Sequence, residues 1–181
     1  MFIYDAGDGI HLSLLTIQNA EELFTLTDTS RDLLRQWLPW VDGTKTVEDS
    51  KAFIQQSLHQ FSSNDGLHAG IWFSGRLVGV IGFHKIDWHN RRTAIGYWLG
   101  KEFQGRGIMT RACRAMVNIA FHEYKLNRVE IRTAVENRKS RAIPDRLGFV
   151  EEGVCRQAEW LYDRFVDHVI YGMLAGDWLQ G

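Results

Sequence analysis

The sequence predicts one mixed α/β domain spanning residues 1–181. Three observations predict it. Strand-like runs at Leu67 to Phe73, Arg76 to Phe83 and Thr93 to Leu99 follow one another as a meander. A strongly striped helix and then another strand come next, an order unlike the repeated βαβ of a dinucleotide-binding domain. The 181 residues are 45% hydrophobic and include only two Pro, which allows a sizeable core and leaves little room for a linker.

Each element has a local reason. Gly9 to Leu15 alternates weakly and reads as a first strand. Asn19 to Leu38 reads as one or two short helices that stop at Pro39. Thr46 and Asp49 form a capping box, and Val47, Ile54, Leu58 and Phe61 then recur at helical spacing. That helix should end near Ser63-Asn64-Asp65-Gly66. Ser74-Gly75 is a two-residue hairpin signal, and Asp87 to Arg92 is a polar turn. Ile108 to Tyr124 is a helix that buries Met109, Ala112, Cys113, Met116, Ile119 and Ala120 and exposes Arg111, Arg114, Asn118 and Lys125. Arg128 to Ala134 is a strand with Val129, Ile131 and Thr133 on one face. Ser140 to Leu147 is a short helix stopped by Gly148, with Pro144 expected in or near its first turn. Phe149 to Trp160 and Phe165 to Leu174 form a closing hairpin.

Bulk properties exclude several function classes. A formal charge of −1 gives no basic footprint for nucleic acid and no attraction to anionic membranes. The longest apolar run, Leu77 to Phe83, is about seven residues, too short to span a bilayer. The N-terminal MFIYDAGDGIHL lacks the basic start and apolar centre of a secretion signal. Two cysteines, Cys113 and Cys155, make no disulfide framework, which points to a reducing cytoplasmic home. The seven His are scattered without zinc spacing, so no metal is expected.

The motif with chemical content is Phe103 to Thr110, FQGRGIMT, between a strand and a helix. Free amides at the helix start and the helix dipole attract anions there. Gly105 and Gly107 clear the approach, and Gln104 supplies a neutral amide. A bare GxG occurs by chance; the strand before and the helix after make this one a phosphate site. Of the nearby arginines, Arg106 is expected to meet a phosphate, with Arg111 and Arg114 on the solvated face.

These residues resemble the Gcn5-related N-acetyltransferases. That family's coenzyme motif is Gln or Arg, two residues, Gly, one residue, then Gly or Ala. Gln104 to Met109 matches except at Met109. Asn137 to Ser140, Arg146 to Phe149 and Glu152-Gly153 resemble its downstream segment. Trp37 to Val41 and Ala158 to Leu161 look like the RimL-type subgroup, which acetylates ribosomal-protein N-termini. The resemblance covers about residues 9 to 175.

It implies a mostly antiparallel mixed sheet flanked by helices, in which splayed strands hold acetyl-CoA. It implies acetyl transfer straight to a primary amine, and a homodimer. Tyr97, Trp98 and Leu99 would offer backbone to the pantetheine arm. Gln104, Gly105, Arg106, Gly107, Ile108, Met109 and Thr110 would hold the diphosphate. Asn137 would bind the amide arm, Ser140 would sit near the leaving sulfur, and Glu159 would act as general base.

Each of these has a plainer reading. Ser140 could simply cap its helix, Asn137 could be a turn residue and Glu159 a solvated strand residue. Cys113 reads as packing. Trp37, Trp40 and Trp160 could be core, groove lining or dimer contacts. The acceptor could instead be a polyamine or antibiotic, with Glu48-Asp49 and Glu151-Glu152 building an acidic pocket. A coenzyme-binding sensor without turnover is the alternative outside the enzymes.

Overall fold

The computed structural model describes residues 2–178. Its strands are β1 (Ile3–Gly7), β2 (Ile10–Leu14), β3 (Leu67–Phe73), β4 (Arg76–Phe83), β5 (Arg92–Leu99), β6 (Arg128–Ala134), β7 (Val150–Leu161) and β8 (Arg164–Leu174). The helices are α1 (Ala20–Thr29), α2 (Arg31–Arg35), α3 (Val47–Ser62), α4 (Ile108–Asn118), α5 (Arg138–Arg146) and α6 (Ala175–Trp178). One sheet of eight strands runs in the order β1-β2-β3-β4-β5-β6-β8-β7. Every neighbouring pair is antiparallel except β5 with β6. No helix among the described residues is long and apolar enough to cross a membrane.

The local signals act as expected in the first half. The capping box forms: Asp49 Oδ2 accepts from the Lys45 and Thr46 N–H groups at 2.9 Å each, and these bonds hold its carboxyl below the usual range. The Ser74-Gly75 turn closes β3 onto β4 with Phe73 opposite Arg76. The α4 stripe lies against one face of the sheet, where Met116, Ala112 and Cys113 meet Ile81, Ile95 and Ile131 in one apolar cluster. Burial pushes the Cys113 thiol up to about 12, so it packs as a small apolar group. The end of that helix widens into a π-turn over Ile119–Glu123. On the opposite face α1 and α3 bury Leu23 and Ile54 over Leu77 and Val80.

β1 was not expected from the sequence. It is an edge strand with no fully buried residue, joined to β2 by a tight Gly7-Asp8-Gly9 turn. α5 also differs. It begins at Arg138, because Asn137 caps it by accepting the Ser140 N–H at 3.3 Å. Ser140 is therefore the third helical residue, not the cap. Pro144 is the seventh of nine residues, not in the first turn. A proline there withholds the N–H that the Ser140 carbonyl needs. The Tyr97 hydroxyl, from β5, supplies the replacement at 2.9 Å. The far end closes as read: Gly148, at φ +78, lets its own N–H reach Asp145 O and the Phe149 N–H reach Pro144 O.

His68 on β3 lies under the Phe53 ring of α3 and beside His84. Its Nδ1 is buried and meets no hydrogen-bond partner among the described residues. Burial, with a smaller push from His84, lowers it from the ordinary value to about 4. Because the folded value lies below the unfolded one, the unfolded chain takes up the proton first as pH falls. Stability contributed by neutral His68 is full above about pH 6.5 and is lost as pH falls toward about 4, by roughly 3 kcal/mol at most. Urea melts at pH 7 and 4.5 on wild type and His68→Phe check this: the variant should lose less stability on acidification. Equal losses would remove His68 from the account.

Candidate active site

The site begins where the sheet opens. β5 and β6 pair only from Arg92 opposite Arg128 to Ile95 opposite Ile131. Beyond that, β5 stays with β4 as far as Leu99, while β6 stays with β8 as far as Ala134. The two strands part, and one edge of β5 from Gly96 to Leu99 loses its ladder. The Gly100 N–H donates to Val78 O on β4 at 2.8 Å. Strand alternation then turns the N–H and C=O groups of Leu99 and Tyr97 into the opening. Such an unpaired edge accepts an extended ligand arm as it would a strand.

The loop after β5 supplies an anion site. Gly105 and Gly107 sit at φ +75 and +74, a region that favours glycine. Gly107 caps α4 without any side-chain hydrogen bond, and no acidic residue lies in the first turn. The amides of Ile108, Met109 and Thr110 therefore have no partner within the helix and reinforce its positive end. The Met109 side chain turns into the core, so its bulk does not enter this space.

The β5 edge and the α4 loop share a cleft of about 830 Å³. Tyr97, Trp98, Leu99, Gln104, Gly105, Gly107, Ile108, Met109 and Thr110 line one side of it. Asn137, Lys139, Ser140, Ala142, Ile143 and Arg146 of α5 and its cap form another wall. Leu33, Leu34, Trp37 and Leu38 close it from α2 and the turn that follows. Arg111, Arg114, Lys139 and Arg146 are the charged lining residues, and no carboxylate is among them. Glycine amides, four cations and an unpaired strand edge fit a phosphate-bearing carrier with an extended amide arm.

Tyr97 and Ser140 meet inside this cleft. The Ser140 hydroxyl donates to the Tyr97 oxygen at 3.3 Å, and the Tyr97 proton goes to the Ser140 carbonyl. Burial raises the Tyr97 phenol well above its usual range, so it remains a proton donor. The bond that repairs the α5 proline thus also orients the Ser140 hydroxyl.

Two sequence candidates lie outside the lining. Arg106 points away, with its guanidinium 5.9 Å from the centre of the Phe103 ring, and Arg111 and Arg114 reach the cleft in its place. The turn made by two left-handed glycines sends the intervening side chain outward. Arg111 is also paired with Asp8 at the β1–β2 turn. Glu159 stands on β7, with Oε1 3.8 Å from His168 Nε2, and both side chains are partly shielded. His168 pairs across the ladder with Ala134, the last residue of β6, beside the parting of the sheet. The aromatic residues divide: Trp37 lines the cleft, Trp40 packs on Trp98 at 5.7 Å between ring centres, and Trp160 stacks edge-on with Phe165 on the exposed hairpin.

Residues 10–150 match the acetyltransferase (GNAT) domain family. The chain belongs to the Gcn5-related N-acetyltransferases and is an acetyl-CoA-dependent N-acetyltransferase. Among its relatives, YdaF of Bacillus subtilis (strain 168) is 37% identical over 179 residues, covering 98% of each chain. The microcin C7 self immunity acetyltransferase MccE, solved with acetyl-CoA and AMP, is 32% identical with a TM-score of 0.89, over 93% of this chain and 94% of that one. RimL, a ribosomal L7/L12 α-N-protein acetyltransferase solved with coenzyme A, is 25% identical with a TM-score of 0.93, over 97% and 99% of the two chains.

Proposed function

We propose that this enzyme acetylates the N-terminal α-amine of a ribosomal protein. The observation that carries the reading is that, among the described residues, no carboxylate lines the cleft. A polyamine needs paired negative charge along its length; a single chain end does not. The four acidic residues proposed for such a pocket are engaged elsewhere. Glu48 pairs with Lys51, Asp49 caps α3, Glu151 pairs with Arg141 and Glu152 with Arg128. The α-N-protein activity named for RimL supports the same acceptor.

In this reading bound acetyl-CoA supplies its acetyl group as a thioester. The amides from Gly105 to Thr110 and the Gln104 side chain hold the diphosphate, with Arg111 and Arg114 nearby. Tyr97 and Leu99 pair with the amide arm, assisted by Asn137. The Leu99 N–H polarises the acetyl carbonyl. Ser140 offers a proton where the sulfur departs. An α-amine has a pKa of about 7.7–8.0, so roughly a tenth is already neutral at pH 7, and Glu159 removes the proton from the rest. No residue of the chain becomes acylated.

The test is thiol release from acetyl-CoA with a panel of N-terminal peptides and ribosomal proteins, run against spermidine. Turnover of protein N-termini is expected, with little for the polyamine. A preference for spermidine would move the acceptor to small amines, and a folded enzyme that releases no thiol with any acceptor would refute the proposal.

A further inference from the structure

Tyr162 occupies the tip of the β7–β8 hairpin at φ +59. An aromatic residue in the left-handed region is strained, and such strain persists only where surrounding contacts hold it. The turn is tight: the Asp163 N–H donates to Leu161 O, two residues back, at 2.7 Å. The contacts that hold Tyr162 come from the other end of the chain. Its hydroxyl donates to the Leu38 carbonyl at 2.5 Å. The Arg35 guanidinium lies 3.9 Å over its ring centre, and Arg35 is itself forked onto Asp42 at 2.8 and 2.9 Å. Pro39 follows Leu38 and ends the helical turn there, which leaves that carbonyl to an outside donor.

The grip falls on functional wall. Leu38 and Trp37 line the cleft. Trp40, just beyond, packs on the lining residue Trp98. The same hairpin carries Glu159 three residues before Tyr162. One hydrogen bond therefore sets the Trp37–Leu38 wall relative to the strand that bears the candidate base.

We infer that Tyr162 is a positioning residue for the acceptor: it holds the Trp37–Leu38 wall at the separation from β7 that seats the incoming amine. This deepens the acetyl-transfer reading and rests on it. Among the described residues Tyr162 makes no hydrogen bond to the glycine loop or the β5 edge, so the coenzyme half of the cleft stands without it.

Steady-state kinetics test this with a serine-initiated peptide carrying a free α-amine as acceptor. Tyr162→Phe keeps the ring and loses one hydrogen bond, so the acceptor KM should rise about fivefold while the acetyl-CoA KM stays within about twofold. Tyr162→Gly relieves the turn and removes the grip altogether, so the acceptor KM should rise by about tenfold or more. If Tyr162 served only the turn, glycine would match or improve on the wild type in melting temperature and in both KM values. An unchanged acceptor KM in both variants beside an active wild type overturns the inference alone. A wild type that acetylates no peptide overturns the acetyl-transfer reading and this inference with it.

Discussion

Gly107→Val should abolish useful coenzyme binding while leaving a folded protein. The backbone at Gly107 has φ +74, and an L side chain there costs about 1–2 kcal/mol of stability. An added Cβ would meet no protein atom within 4 Å, so nothing in the core obstructs the variant. The open direction is the cleft, and a branched side chain would stand among the free amides of Ile108 to Thr110. Those amides gain their hold on a phosphate only if its oxygens can reach them. Coenzyme affinity should fall by about 100-fold, roughly 3 kcal/mol. Calorimetry with coenzyme A measures the affinity, and a thermal melt reports the fold. Gly148→Ala is the control: Gly148 has φ +78 and equally open surroundings but closes the C-terminal end of α5 and does not line the cleft. It should lose stability and keep coenzyme affinity. A Gly107→Val protein that binds coenzyme A as wild type does would remove the glycine loop from the site.

Signals confined to a few neighbouring residues were legible in the sequence. The Thr46–Asp49 box, the Ser74-Gly75 hairpin, the α4 stripe and the Gly148 stop each depend on contacts within one turn or one face, and each forms. What escaped depends on partners far along the chain. Pro144 reads in the sequence only as a breaker near a helix start, because the hydroxyl that compensates for it belongs to Tyr97, 43 residues before the Ser140 carbonyl it serves. β1 half-buries only Tyr4 and Ala6 against the core, too few positions for their alternation to stand out in the sequence. In the site, the glycine loop and the β5 edge lie next to one another in sequence, so one short stretch offers both. The Leu33–Leu38 wall comes from α2, where its apolar residues look like ordinary packing. Its place inside the motif favours Arg106 over Arg111 and Arg114 in the sequence, and nothing there marks that its guanidinium lies by the Phe103 ring while the other two line the cleft.

Glu159→Gln should lower kcat/KM for a peptide acceptor by about 10²–10³-fold at pH 7, the range lost with a general base. The side chain is aimed by an irregular stretch of β7. Between Cys155 opposite His168 and Glu159 opposite Val166, the strand gains extra residues, and Gln157 takes φ +50 with its N–H held by Asp167 Oδ1 at 2.7 Å. That bulge puts Glu159 on the same side as His168, near the end of β6 where the sheet parts. Glu159 does not line the coenzyme cleft, so coenzyme affinity should be retained in the variant. The pH profile separates a base from a merely structural carboxylate. An α-amine loses its own proton near pH 7.7–8.0, so the Glu159→Gln rate should climb nearly tenfold per pH unit below that value and level off above it, still about 10–10²-fold below the wild type. Ser140→Ala should cost less, about tenfold, because it removes one hydroxyl donor at the leaving sulfur and keeps the Tyr97 bond to the residue 140 carbonyl. A sensor that binds coenzyme without turnover predicts no response to either change. If Glu159→Gln keeps the wild-type rate and pH profile while acetyl transfer persists, the proton leaves by another group, and Glu159 is a surface carboxylate on a bulged strand.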